Sequence, residues 1–288
     1  MKRMKVADQG CYYHLMNRVS GYKGDLPFSG VDREYGFTLL QNLTEYFLIE
    51  VISAAWMGNH FHLVVYAPGQ NELPSEAEIA ARHNAYYRSM EGDLTYTMKK
   101  MPFIEPKHKK LCREIGEKMI DISYFMRAYQ QRFSVVFNRT YNHIGRLWAD
   151  RFKSVILEGS DALEACLQYV ELNPVRAKLT KNPADYRFTT WGRYSGSGKH
   201  AYHANFLKHY KKLIDYTDTS SWSDADYYTE FKCSLTRIIA AERGANAAEI
   251  AEEEQTARRK ESMPVRFLRR TRHFTDGAIL GSKLFIRE

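Results

Sequence analysis

Two apolar runs, IEVISAAW from Ile49 to Trp56 and HFHLVVYA from His60 to Ala67, are separated only by Met57, Gly58 and Asn59. Two short apolar runs joined by a tight turn read as a buried β-hairpin. That hairpin constrains everything around it. Side chains two apart in a strand share a face, so His60 and His62 stand side by side at the entrance of its second strand. The rest of that strand, Leu63, Val64 and Val65, is apolar on both faces, so the two polar rings lie where a sheet surface meets a cavity. The spacing is a metal-ligand geometry; it also suits two partly buried structural histidines.

The flanking sequence supplies more of a sheet. GCYYHLMNRVSG, followed by Gly21 and Gly24, reads as a strand ending in a turn, and Asp32 or Ser29 can cap a helix carrying Phe37, Leu39, Leu40, Leu43 and Phe47. After Pro68 and Gly69 the segment Glu72 to Phe137 reads as several helices broken near Gly92, Pro102 and Pro106. Asn138 to Lys153 is expected to be a basic, aromatic loop, with a short strand at SVILE. A helix capped by Ser160 follows, with an apolar stripe of Leu163, Cys166, Leu167 and Val170, and Pro174 is expected to stop it. Tyr169 lies off that stripe, roughly 110° from its centre at 100° per residue. Asn173 falls at i+4 from it, so a hydroxyl and a carboxamide can share one side of the helix end.

Beyond Trp191, GRYSGSGKH reads as a linker, followed by a Tyr-rich helical segment, an Ala/Glu-rich helix near Ala245 to Gln255 and a basic tail. The order of elements predicts an α+β fold: a ferredoxin-like antiparallel sheet with helices on one face, a helical insertion at about 70–137 and a helical C-terminal extension. The expected division is a core over 1–195 and an extension over 196–288.

Charge narrows the partners. Among 288 residues, 42 Lys and Arg against 34 Asp and Glu give +8. From Lys107 to Lys153 there are eleven basic and four acidic residues, and from Arg258 to Glu288 nine and three, so these two stretches carry more than the whole excess. A polyanion partner is the expected consequence. Arg139, Tyr141, Arg146, Trp148, Arg151, Phe152 and Lys153 interleave cations with rings, a composition for backbone neutralisation plus base stacking. It is also that of a solvated loop over two buried aromatics. The four cysteines show no CxxC or CxxH pairing, which argues against a structural zinc or a disulfide framework. No run of 18 apolar residues and no apolar leader after MKRMKVADQG is found, so a cytoplasmic protein without a membrane span is expected. GSGK at 196–199 lacks the length and preceding strand of a phosphate loop, and no Ser-His-Asp triad is legible.

Four strings, MGNHFHLVV (57–65), GRLWADRFKS (145–154), YVELNPVRA (169–177) and DYRFTTW (185–191), together resemble the REP-associated tyrosine transposases and their relatives among single-tyrosine HUH transposases. The resemblance spans about residues 10–195, and HFTDGAILGSKLF (273–285) is similar to the tail of longer members. Gly58 departs from the proline that many relatives carry before the histidine strand. The resemblance implies an HUH endonuclease core in which His60, His62 and Asn173 bind Mg²⁺ or Mn²⁺ and Tyr169 is the nucleophile. Arg139, Arg146, Trp148, Arg151, Lys153 and Arg176 would contact DNA. The implied substrate is single-stranded DNA bearing a hairpin, a REP-like or palindromic element, cleaved through a 5′-phosphotyrosine. A homodimer is left open. A relative that binds hairpin nucleic acid without cutting, or a hydrolase using water instead of tyrosine, stand as alternatives.

Overall fold

The computed structural model describes residues 8–21, 25–89, 103–159, 161–198, 200–214 and 219–242, together with the backbone of 279–280. In chain order the elements are β1 (Cys11–Arg18), α1 (Gly30–Tyr46), β2 (Glu50–Trp56), β3 (His60–Ala67), α2 (Glu76–Ser89), α3 (Lys109–Met119), α4 (Ile122–Tyr141), β4 (Lys153–Leu157), α5 (Asp161–Arg176), α6 (Thr190–Ser197), α7 (His203–Leu213), α8 (Asp224–Glu242) and β5 (Ile279–Leu280). The strand order is β2-β3-β1-β4-β5. The first four strands are those of the antiparallel ferredoxin-like sheet read from the sequence, and β5 runs parallel to β4 through Ile156↔Ile279 and Leu157↔Leu280. β1 and β3 pair in register from Cys11↔Ala67 to Arg18↔His60. Among the described residues no helix is long and apolar enough to cross a membrane.

The chain divides into two compact units, Met1–Val51 with Trp56–Ser154, and Ile52–Ala55 with Val155–Glu288. In the first, Ser29 is the N-cap of α1. Its hydroxyl accepts from the Asp32 amide while Asp32 Oδ2 accepts from the Ser29 amide at 2.7 Å, a reciprocal capping box. α1 packs on α4 around Trp56, whose ring stacks on Phe133 (4.6 Å) and whose Nε1 donates to Tyr129 Oη (2.9 Å). Gly36 lies against that indole so closely that a Cβ would come within 2.3 Å of it. α2 and α3 close a smaller core of Ile79, Ile104, Cys112, Ile115 and Met119, against which Tyr46 and Leu48 pack. The helical segment after β3 therefore includes α4, whose aromatic residues fill the first unit's core.

In the second unit α5 is buried along nearly its whole length, from Ala162 to Leu172. Three expectations fail, two in this unit and one in the first. First, Pro174 does not end α5. The helix runs to Arg176, where Ala177 N donates to Asn173 O at 2.9 Å and Lys178 turns left-handed at φ 57°. Proline removes one amide near the helix end, and packing around the helix holds the backbone helical regardless. Second, GRYSGS is not a linker but most of α6. Thr189 caps it by accepting from Gly192 N (3.0 Å), Gly198 ends it at φ 68°, and a Cβ on Gly192 would sit 1.9 Å from Tyr186 O. Its glycines serve close approach and capping, which composition alone reads as looseness.

Third, α4 continues through Tyr141 before Asn142 closes it at φ 50°, so Arg139 is helical and the basic loop begins later. α6, α7 and α8 gather the Tyr-rich segment into one aromatic cluster, with Tyr194 stacked on Tyr228 at 3.8 Å and Phe206 against Phe231 at 5.1 Å. The expected cap at Ser160, the helix near 245–255 and the arginines of the tail lie outside the described residues. All four cysteines are free, with Cys11, Cys112 and Cys166 buried.

Candidate active site

Strand alternation in the β1–β3 register sends Tyr12, His14, Met16 and Arg18 of β1 and His60, His62, Val64 and Tyr66 of β3 to one face. His60 and His62 meet there with ring centroids 5.1 Å apart and planes at 88°. A third histidine that sequence reading missed joins them. His14, fully buried, shares a hydrogen bond of 2.9 Å between its Nε2 and His62 Nδ1. His60 Nδ1 is held by Asn59 Oδ1 at 2.6 Å. Burial, reinforced by the Arg18 charge, lowers His60 to about 4. Burial and the neighbouring His60 and His14 hold His62 well below its ordinary range. Both rings are thus neutral at pH 7, the form that ligates metals. A partner on Nδ1 of each fixes ring orientation, the usual arrangement around a ligating histidine. Among the described residues no group of three or more His, Cys, Asp or Glu could hold an ion.

The basic loop is fastened to this strand end. Val19 and Trp148 form an isolated bridge, Ser20 N donates to Leu147 O (2.7 Å), Ala149 N to Arg18 O (3.0 Å), and Asn17 Nδ2 to Asp150 O (2.9 Å). The backbone of 147–150 therefore runs along residues 17–20, and Arg18 stands opposite His60. Arg146, Arg151 and Lys153 are exposed, as is Arg139 in the last turn of α4. Trp148, expected to stack on a base, is fastened to the core by one edge. It is half-buried, its indole Nε1 donates to Gln130 O (3.1 Å), and its ring packs against Phe61, Phe133 and Phe28 within 6 Å.

In the second unit the tyrosine helix is also unlike a half-exposed amphipathic one. Tyr169 is only 6% exposed, because α5 is covered on all sides and has no solvent face for it to occupy. Burial raises its phenol, Cys166 adds to that, and Arg176 and the Asn173 carboxamide oppose it. Asn173 Nδ2 donates to Tyr169 O (3.0 Å), which leaves Oδ1 as the atom a hard cation would take. Arg176 lies with Cζ 5.3 Å from the Tyr169 ring centroid and pairs with Glu242. Tyr169, Asn173 and Arg176 are therefore grouped at one end of α5.

Glu171, also missed from sequence, is 2% exposed. It accepts from Ser53 Oγ of β2 (2.7 Å) and from Trp191 N of α6 (3.0 Å). Burial pushes its carboxyl up to about 7 against those hydrogen bonds. Thr190 of the same DYRFTTW string accepts from Ala54 N (2.8 Å) and Ala55 bridges to Thr189, so that string locks α5 and α6 onto β2. Glu164, Gln168 and Glu171 at i, i+4 and i+7 form a buried polar stripe, a signal visible in the sequence once α5 is taken as enclosed.

No protein-family model matches the chain, and no curated protein matches it. Among solved structures, the chain is similar to that of a REP-associated tyrosine transposase bound to a REP hairpin. Identity is 11% and the TM-score 0.43, over 70% of this chain and 89% of that one.

Proposed function

We propose that the chain is a metal-dependent single-strand DNA endonuclease and strand transferase acting near hairpins through Tyr169. The observation that carries the reading is the neutral, orientation-fixed His60–His62 pair at a strand end to which a loop bearing Arg146 and Arg151 is fastened. Neutral imidazoles beside exposed guanidinium groups suit a cation and a phosphate backbone together. The donor types suit a divalent ion: His60 and His62 would offer it ring nitrogens, and Asn173 Oδ1 is a carboxamide oxygen of the kind such an ion takes. Mn²⁺ or Mg²⁺ bound there would supply Lewis-acid polarisation of the scissile phosphate.

The residues then have separate tasks. Tyr169 Oη forms a bond to phosphorus as the bond from phosphorus to the 3′ oxygen breaks. The phenolic proton ends on the departing 3′-hydroxyl, and the strand's 5′-phosphate stays on the tyrosine. Covalent storage permits rejoining to another 3′-hydroxyl. Arg139, Arg146, Arg151 and Lys153 neutralise backbone phosphates. Trp148 shapes the loop.

The buried state of Tyr169 favours one other reading, a protein that binds hairpin nucleic acid without cutting it. Wild type and Tyr169→Phe, incubated with labelled hairpin-bearing single strands and Mn²⁺ or Mg²⁺ and run on a denaturing gel, separate the two. A slow-migrating covalent band from wild type alone is the expected result. Binding without adduct or nick, across several hairpins, replaces the nuclease with the binding protein. Cleavage that survives in Tyr169→Phe assigns the attack to water.

A further inference from the structure

Arg176 carries an unfinished set of hydrogen bonds. Its side chain is 18% exposed. Nε and Nη2 both reach a single oxygen of Glu242, Oε1, at 3.2 and 2.8 Å, while Nη1 is buried with no hydrogen-bond partner among the described residues. A guanidinium is a planar fork of five donors, matched to two oxygens of one anion. Glu242, whose carboxylate is 35% exposed at the end of α8, satisfies half of that fork. A buried donor left over is costly unless something else uses it. The same guanidinium covers the Tyr169 ring at 5.3 Å.

We infer that Arg176 is a catalytic residue of the tyrosine site, that the anion its fork is built for is the scissile phosphodiester, and that Glu242 holds that place until the phosphate displaces it. This rests on the reading of Tyr169 as nucleophile. A phosphodiester presents two unesterified oxygens, one for the Nη2 edge that Glu242 now occupies and one for Nη1. Bidentate capture would place the phosphate beside the phenol that attacks it and put positive charge where the transition state gathers negative charge. Exchange is easy because a part-exposed carboxylate pair is worth only a factor of about two to five in equilibrium. Lysine could not replace the arginine, since an ammonium is a point charge without the fork.

The test uses the full chain, a hairpin-bearing single-stranded oligonucleotide and Mn²⁺, and measures the rate of Tyr169-dependent adduct formation with protein in excess. Glu242→Gln should raise that rate about two- to fivefold. Arg176→Gln should lower it by about 10² or more, with Arg176→Lys recovering little of the loss. The double variant Arg176→Gln with Glu242→Gln should match Arg176→Gln alone, because Glu242 acts only through the arginine. Thermal melts of each variant separate a merely structural clamp, which would shift both single variants alike and leave the rate unsplit.

In a Tyr169→Phe background, the slope of log affinity against log salt should fall by about 0.7 with Arg176→Gln. A Glu242→Gln rate equal to or below wild type, or a normal rate in Arg176→Gln, overturns the inference while the nucleophile stands. If wild type gives no adduct, the nucleophile reading itself is lost. The salt slope then decides whether Arg176 touches phosphate, and an unchanged slope overturns that too.

Discussion

A histidine two positions from another has a meaning that its neighbours decide. His60 and His62 become ligand-like because Asn59 and His14 hold their Nδ1 atoms and burial keeps them neutral. His14 should therefore act on metal binding without being a ligand. His14→Ala is expected to weaken Mn²⁺ binding about 10- to 100-fold by calorimetry, and an unchanged affinity would strip the ring of its orienting role. Trp148 shows the converse, a residue of apparent nucleic-acid chemistry that the core claims. Trp148→Ala should destabilise the protein by about 3 kcal/mol in urea unfolding. Arg146→Gln, an exposed change, should stay within about 0.5 kcal/mol of wild type. A Trp148→Ala protein of normal stability would contradict the packing described.

At the scale of elements, α5 concentrates what is unusual. A helix with an internal proline and a buried Glu-Gln-Glu stripe persists because β2 and α6 supply partners, chiefly Ser53 Oγ and Trp191 N to Glu171. The consequence is a pH dependence with a definite sign. Glu171 ionises near 4.5 in an unfolded chain and at about 7 in the fold, so between those values the folded state holds a proton that the unfolded state has released. Stability from this group is fully present below pH 4.5 and falls as pH rises through 7, by an amount on the order of 3 kcal/mol. Glu171→Gln should flatten that decline when unfolding free energies at pH 5 and pH 8 are compared. An equal decline in the variant would locate the pH dependence elsewhere.

For the whole molecule, a net charge of +8 becomes function only where the fold exposes it. Arg139, Arg146, Arg151 and Lys153 are exposed in the first unit, whereas Arg132, on the same helix as Arg139, is 8% exposed. Replacing those four exposed residues together by Gln should reduce the slope of log affinity against log salt by about 3 for a single strand, at about 0.7 per phosphate. Anisotropy over a range of KCl concentrations measures it, and an unchanged slope would make the loop merely solvated. The sequence by itself determined what acts over a few residues: the hairpin at 49–67, a cap at Asp32 or Ser29, strand alternation that puts His60 beside His62, and the i+4 pairing of Tyr169 with Asn173. Steric preference, capping and periodicity are local and can be read without a fold. Tertiary structure decided what depends on partners far along the chain: His14 against His62, 48 residues apart; Ser53 against Glu171, 118 apart; and Arg176 against Glu242, 66 apart. It also decided that Tyr169 is enclosed and that α5 passes through Pro174, because burial is set by every element packed around a residue, and no window of sequence contains them all.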